Sequence, residues 1–500
     1  HIMTAIIPAS WREILLYLLL GVIVIFACNA IYNVFFHPLH NFPGPKSHAI
    51  SRIPYTYHWM RGDLVRHVAA LHRVHGDIVR LAPGELSFGD PRAWQDIMGG
   101  GSRDLQKWDG LYGVPRFLPT HIQNTTDKAR HRMLRRAMRP GFSDAALRAQ
   151  EHVVASHVDR FIQKLRDRRG AVVDLELWYR FIVFDVIGDL VFGESFGCAK
   201  SSEFHPWIRD ICDTGAMMSY LMAANMYPIV RDVVNFLIDG LAKSGFAAQK
   251  KTLVPILERR LRSKTQRLDL VNPLIENMEE WKWTIDDLIP HAIVFVGAGS
   301  ETTAGVLGAV TAFLLENPEA MARAKEEVRS AFLSDSDINL ERVESRLPFL
   351  RACTDEALRL YPQSGCASLR ITGDNDIICG VPIPPKTVVG IWPYAVYRDP
   401  KLWRKPDEFH PERWLGDPEY ANDVREAFNP FHVGSRDCIG RGLAIMELRL
   451  VMARMIYNFD MRLVGAGMKD DPRTWVDRQK NFFIVWKRVP LEVVLTPTKS

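Results

Sequence analysis

No C-x-x-C pair occurs in this 500-residue chain, and its seven cysteines (Cys28, Cys198, Cys212, Cys353, Cys366, Cys379 and Cys438) stand far apart. That spacing excludes a disulfide framework in favour of a reduced, cytosol-facing pattern. Charge of one sign is lacking as well. The 63 Lys and Arg against 58 Asp and Glu leave a net charge of +5, too small at this length to point to a nucleic-acid partner. Neither internal repeats nor low-complexity tracts interrupt the sequence. A complete dinucleotide fingerprint is missing too: Gly297-Ala298-Gly299 begins one, but Thr302 stands where the third glycine belongs. What remains is an ordinary globular composition, 47% apolar and 24% charged, and a length that does not by itself fix the number of domains.

One apolar run stands out. From Ile14 to Phe36 no charged residue occurs, and the stretch is long enough to cross a bilayer as one helix. A cleaved signal peptide is the alternative, but such a core is shorter and ends at small residues. His1-Ile2 ahead of Met3 is set aside as a cloning remnant. Arg12 and Glu13 cancel before the run, while Lys46 and Arg52 follow it, a bias that leaves the body of the chain on the cytoplasmic side. Phe42-Pro43-Gly44-Pro45 then stiffens the exit, since proline fixes φ and cannot continue a helix. The expected division is a membrane anchor over 1–36, a proline-rich hinge over 37–47 and one body over 48–500.

In the body helical periodicity dominates, so the expected class is mainly α with a small β-sheet subdomain. Asp77 to Pro91 reads as a hairpin about a Pro83-Gly84 turn, and a second strand-rich patch runs from Arg370 to Trp392. Asp127 to Arg139 reads as a basic helix closed by Pro140-Gly141, with His131 and Arg135 four apart on one face. Thr284-Ile285-Asp286-Asp287 is a capping box opening a long helix that Asn317-Pro318 closes. That helix is apolar nearly all round from Ala292 to Leu315, the mark of burial on every side. Glu301 and the hydroxyls of Ser300, Thr302 and Thr303 at its centre argue against a second membrane span. The upstream cap also removes the nucleotide reading, because the glycines lie inside a helix already under way.

The chemistry gathers at Phe431-His432-Val433-Gly434-Ser435-Arg436-Asp437-Cys438-Ile439-Gly440. A lone cysteine is most often a small buried hydrophobe. This one lies in a glycine-flanked turn before an amphipathic helix (Leu443 to Tyr457), where free backbone N–H groups and the macrodipole favour a thiolate. A thiolate is a soft ligand that iron or zinc would take. Phe431, Gly434, Arg436, Cys438 and Gly440 fit F-x-x-G-x-R-x-C-x-G, and with this pattern the chain resembles the cytochrome P-450 superfamily, in particular its fungal, membrane-anchored members. Three further motifs arrive in that family's order. Ala298-Gly299-Ser300-Glu301-Thr302-Thr303 matches A-G-x-[DE]-T-T, Glu356 and Arg359 make E-x-x-R, and Pro411-Glu412-Arg413-Trp414 follows. The resemblance covers the chain from Phe42 to Pro497.

The resemblance implies a cytochrome P-450 fold behind a single N-terminal transmembrane helix, with haem b as cofactor. Cys438 would be the axial thiolate of the iron, which favours O–O cleavage. Arg436, His131, Arg135 and Arg370 would meet the haem propionates. Phe431 would belong to the loop, and Gly434 and Gly440 would let its backbone pass close to the porphyrin. Ala298 and Gly299 would cross above the iron, Gly299 leaving room for a diatomic ligand. Thr302 and Glu301 would act as an alcohol–acid pair relaying protons to bound dioxygen. Glu356, Arg359 and Arg413 would form a buried structural ion network.

Substrate contacts, carried over by position, would fall near Tyr112 to Leu118, Phe295 to Ala298, Gly365 to Leu369 and Asn481 to Val485. The implied activity is insertion of one oxygen atom of O2 into a lipophilic small molecule, a fungal secondary metabolite. Electrons would come from NADPH through NADPH–cytochrome P-450 reductase, with the catalytic domain on the cytosolic face of the endoplasmic reticulum. The rival readings are an oxygen-independent haem-thiolate isomerase or dehydratase and a non-catalytic haem-binding sensor. The intact Glu301-Thr302 pair argues against both. Three positions depart from the family pattern: Leu369 stands for Pro before Arg370, Lys386 for Gly, and Trp414 for the commoner Phe, a swap expected to be harmless.

Overall fold

The computed structural model describes residues 11–100, 104–113, 119–263, 269–464, 474–482 and 485–498. His1 and Ile2, residues 114–118 and residues 483–484, on which some of the expectations fall, lie outside the described residues.

The body is organised around the helix Ile285–Glu316. At its start the Thr284 backbone N–H and hydroxyl both donate to Asp287 Oδ2, at 2.8 and 3.0 Å, so the foreseen cap forms. Asn317 ends the helix, and Pro318 opens the next. Its side chains from Thr303 to Leu314 are buried without a break. The cause is its neighbours: Leu175–Phe192 runs along it, and Pro348–Leu360 and Arg441–Asn458 pack on it as well. The helix Leu175–Phe192 buries Phe181 to Ile187 in succession, each such apolar side chain contributing about 1.5–3 kcal/mol. Asp185 within that run is satisfied by accepting from the Cys198 and Ala199 N–H groups at 2.8 Å each.

Ile78–Ala82 and Glu85–Phe88 form the foreseen hairpin. Val388–Ile391 pairs parallel to Glu85–Phe88, and Arg370–Ile371 pairs antiparallel to Val388–Ile391. Gln106–Lys107 closes this five-stranded sheet at its edge, with Lys107 directly opposite Arg370. Strands so short depend on what lies behind them, and Leu86, Phe88, Trp94, Val389, Ile391 and Trp403 build a smaller second core there. In the turn before Val388, Lys386 has φ 62°. That left-handed conformation costs a residue with a side chain about 1–2 kcal/mol, which is why glycine suits the position better.

Glu356 anchors the expected ion network, and no member of it is more than 1% exposed. Arg359 grips both its oxygens at 2.8 and 2.9 Å, and Arg413 Nε donates to Oε1 at 3.0 Å. Arg359 also holds the carbonyls of Tyr397, Pro406 and Glu408. Trp414 does more than was expected of it. Its Nε1–H donates to Glu356 Oε2 at 3.0 Å, a bond that phenylalanine could not make.

The apolar N-terminal run is one helix, Trp11–Phe35, and its side chains from Leu16 to Leu20 and Val22 to Phe26 are exposed. Leu16–Phe35 is long and apolar enough to cross a membrane, whereas the other helix meeting that test among the described residues, Ile285–Glu316, is a core helix. The stretch expected to be a hinge is pinned down. Arg80 of the first strand donates from Nη1 to the Asn33 carbonyl at 2.9 Å and from its backbone N–H to the Pro43 carbonyl at 2.7 Å. Asn33 Nδ2 donates to the Ile50 carbonyl at 3.1 Å. Gly44 lies so close to this strand that a Cβ there would stand 2.6 Å from the Arg80 carbonyl oxygen.

Candidate active site

Cys438 is exposed on its loop, three residues before the helix Arg441–Asn458. Its backbone N–H donates to the Phe431 carbonyl at 2.9 Å, closing the loop on itself. Gly434 is required by that closure: at φ 83°, a Cβ would stand 1.6 Å from the Met98 carbonyl oxygen. The crowding partner is therefore the protein's own backbone. At Gly440 a Cβ would meet only Phe142 Cε1, at 3.9 Å, so nothing in the described protein demands the glycine. Although Cys438 reaches the surface, the protein packed around it raises the thiol by desolvation, against the Gly440 N–H and Arg135, which favour the thiolate. A metal ion held there would favour the deprotonated sulfur.

The cationic residues gather beside this loop, but not all on equal terms. Arg135 is taken up by Asp437, to whose backbone carbonyl and carboxylate its two terminal nitrogens donate. It braces the loop rather than standing free. His131 is buried; desolvation, followed by Arg436, Lys107 and Arg135, pushes it down to about 3. Arg436 donates to the Thr125 carbonyl at 3.0 Å. Arg370 is buried and gives its Nη1 to the carbonyls of Ser368 and Leu369, while its Nε has no partner.

Two residues of this neighbourhood were missed from sequence: Lys107, buried at the sheet edge, and His432, whose Nε2 lies 3.0 Å from the Ser368 hydroxyl. His432 sits at φ 60° and is pushed down to about 4 by desolvation, then Arg370 and Lys107. Its place within the ten-residue loop was the one available signal. For Lys107 there was none, because strand pairing across the whole chain brings it there.

In the central helix the Thr302 hydroxyl donates to the Ala298 carbonyl at 2.7 Å, and Ser300 bonds back to Val296 in the same manner. Such back-bonding bends a helix locally. Gly299 also faces the neighbouring helix: its missing Cβ would stand 2.8 Å from Ile187 Cδ1, which would have to shift for a larger residue. Glu301, adjacent in sequence to Thr302, engages different partners. Arg180 donates to Oε1 at 2.9 and 3.1 Å, Cys212 Sγ lies 3.5 Å from the same oxygen, and Arg488 stands 3.4 Å from Oε2. Burial alone would raise this carboxyl, yet Arg488 and Arg180 hold it below its ordinary value, so it is ionised at neutral pH. Glu447, from the helix after the cysteine loop, was also missed. It is 2% exposed, neither carboxylate oxygen has a hydrogen-bond partner among the described residues, and burial pushes its carboxyl well up.

This donor set fits a haem. A soft sulfur is exposed on one side, and cations without carboxylate partners, one with an orphaned buried N–H, stand beside it to meet two acidic side chains. The comparisons with known proteins agree. The family model for cytochrome P-450 matches residues 52–486. A cytochrome P-450 monooxygenase of Talaromyces stipitatus, tpeC, is 36% identical, with 100% of this chain and 97% of its own covered. Cytochrome P-450 monooxygenase 1 of Neocamarosporium betae is 37% identical over 93% of this chain and 95% of its own. An averantin hydroxylase of Dothistroma septosporum is 36% identical over 93% and 88%. Identity at this level over nearly full lengths leaves one conclusion: the chain belongs to the cytochrome P-450 family and is an oxidoreductase of its monooxygenase type.

Proposed function

We propose that the protein inserts one oxygen atom of O2 into a lipophilic small molecule of fungal secondary metabolism, with electrons passed from NADPH by a membrane-bound NADPH–cytochrome P-450 reductase. The observation that carries this reading is an exposed Cys438 on a loop whose Arg436 and His432 face the buried Arg370, a cation with an orphaned Nε and no ion pair among the described residues. Haem b, when bound, supplies the reducible iron at which dioxygen is activated. Cys438 offers the sulfur that holds it. Arg436, Arg370 and His131 answer its carboxylates, and Arg135 steadies the loop through Asp437.

Thr302 would supply the hydroxyl that holds a proton at this segment and passes it on. Its bond to the Ala298 carbonyl fixes that hydroxyl against its own helix. Glu301 serves as the ionised end of the path, exchanging Arg180 and Arg488 for solvent when it collects a proton. Phe295 is buried within this helix and stacks obliquely on Phe142, with centroids 5.9 Å apart, an apolar wall for a lipophilic substrate. On the cysteine side Arg351, Arg441 and Arg449 line a cavity of about 160 Å³ with Phe431, a basic face for an acidic electron donor.

The test is reconstitution with reductase, NADPH and a fungal extract under isotope-labelled dioxygen. Product carrying one labelled oxygen, and the red-shifted Soret band of a thiolate-bound carbon monoxide complex, are expected. Turnover that proceeds equally without oxygen would favour the isomerase or dehydratase reading.

A further inference from the structure

Three carbonyls between Val296 and Glu301 accept a side-chain donor. The Ser300 hydroxyl takes that of Val296, and the Thr302 hydroxyl that of Ala298. The third is taken from outside the helix: Arg488 Nη2 donates to the Glu301 backbone oxygen. A helical carbonyl at this position is due the N–H of Gly305, four residues on, and a guanidinium competes for it. Side chains that enter the ladder in this way kink a helix. The turn is weak to begin with, because glycine costs a helix interior about 1 kcal/mol relative to alanine. Gln363 keeps a larger residue out, since its Oε1 would stand 2.4 Å from a Cβ at Gly305.

Charge balance does not account for the carbonyl contact. The Arg488 side chain is only 4% exposed, and its Nη1 donates to Glu176 Oε1 at 2.7 Å. Glu301 is already served by Arg180, which places Nε and Nη2 on Oε1, while Arg488 stands 3.4 Å from Oε2. Two carboxylates and two guanidiniums are thus matched before the backbone oxygen is counted. What that oxygen adds is a fixed join between the central helix and the antiparallel strands Lys480–Phe482 and Val485–Lys487, which Arg488 directly follows. The strands are held in their turn. The Asn481 N–H donates to the Gly62 carbonyl at 2.8 Å, and Trp486 Nε1–H to that of Pro362 at 3.0 Å.

Resting on the monooxygenase reading above, we propose that Arg488 is a positioning residue for proton delivery: from the end of these strands it draws the Glu301 carbonyl out of the helical ladder and so keeps the central helix open beside Thr302. When Glu301 exchanges its arginines for solvent, the carboxylate leaves Arg488 but the carbonyl does not, and the bend outlasts the exchange. Without Arg488 the carbonyl returns to Gly305, the turn closes and protons arrive late. Oxygen then departs as hydrogen peroxide with two electrons and two protons, instead of leaving one atom in product and one in water.

The experiment measures hydrogen–deuterium exchange of the Gly305 amide in the intact holoenzyme, with hydrogen peroxide formed per NADPH in the presence of reductase as a second readout. The main variant is Arg488→Met with Glu176→Gln, which removes one charge of each sign and leaves no ion unpaired in the interior. Its Gly305 amide should exchange about 2- to 10-fold more slowly than that of wild type, as befits one hydrogen bond regained. Its peroxide yield should rise. A residue that merely fastened the strands to the core would give the opposite sign, faster exchange on its removal. Arg180→Met strips Glu301 of its closer cation and spares the carbonyl, so it should not slow Gly305, and slowing there as well would overturn the proposal. Exchange in the double variant as fast as in wild type, or faster, would overturn it too, as would an unchanged peroxide yield. Should that variant not accumulate, Arg488→Lys decides alone. It keeps the charge but loses the fork that spans Glu176 and the carbonyl, and wild-type exchange in it would overturn the proposal. Exchange needs neither substrate nor reductase, whereas the monooxygenase reading is judged by labelled product and the carbon monoxide spectrum.

Discussion

At the scale of single residues, the site separates what a position must be from why. Gly299 was legible as a glycine with a purpose, but the crowding of its missing Cβ by Ile187 on the neighbouring helix was not, since no local pattern carries a contact between distant segments. Gly299→Ala should therefore cost about 1–3 kcal/mol by overpacking, read as a lower urea midpoint. Adding Ile187→Val, which deletes the crowding Cδ1, should recover most of it. If the double variant stays as unstable as the single one, or if only oxygen binding suffers, room for a diatomic ligand is the better reason. Thr302→Ala should keep NADPH consumption within a few-fold while product falls and hydrogen peroxide rises, and Thr302→Ser should retain most coupling. Wild-type coupling in Thr302→Ala would remove the hydroxyl from the proton path. Glu301 was legible as an acid at the centre of a buried helix. Its doubly arginine-bound state was not, since Arg180 and Arg488 come from segments far away in the chain.

At the scale of elements, capped and periodic segments were read with ease. The helix Ile285–Glu316, its cap and its terminating Asn317-Pro318 all follow from local chemistry, as does the hairpin about Pro83-Gly84. The two-residue strands were less legible, because Gln106–Lys107 is a strand only by virtue of Arg370–Ile371 opposite it. That is also why Lys107 escaped notice while Arg370, within a named patch, did not. The Pro411–Leu415 turn shows the same limit: its motif was plain, yet the Trp414 ring was taken as interchangeable with phenylalanine. Trp414→Phe removes one charge-assisted bond to Glu356 while Arg359 and Arg413 remain, and should cost about 1.5–3 kcal/mol in chemical unfolding. An unchanged midpoint would show that the two arginines already satisfy the carboxylate. By contrast, Arg413→Met leaves charge unpaired in the interior and should cost about 3–5 kcal/mol.

At the scale of the whole molecule, the exposed helix Trp11–Phe35 leaves the body with an apolar extension that water cannot solvate cheaply. The protein should pellet with membranes and resist carbonate extraction, and a chain truncated to begin near Asn41 should be released. Recovery of the full-length chain in the soluble fraction would contradict the anchor. The junction bears on more than retention. A tether of free linker would let the body tumble, but Arg80 fastens the end of the anchor and Pro43 to the first strand, and Asn33 reaches across to Ile50. With that helix set in a bilayer, a body so bolted would inherit its tilt, and two of its three rotational freedoms would be spent. Its encounter with a donor in the same membrane would become a search over position in a plane and one compass heading.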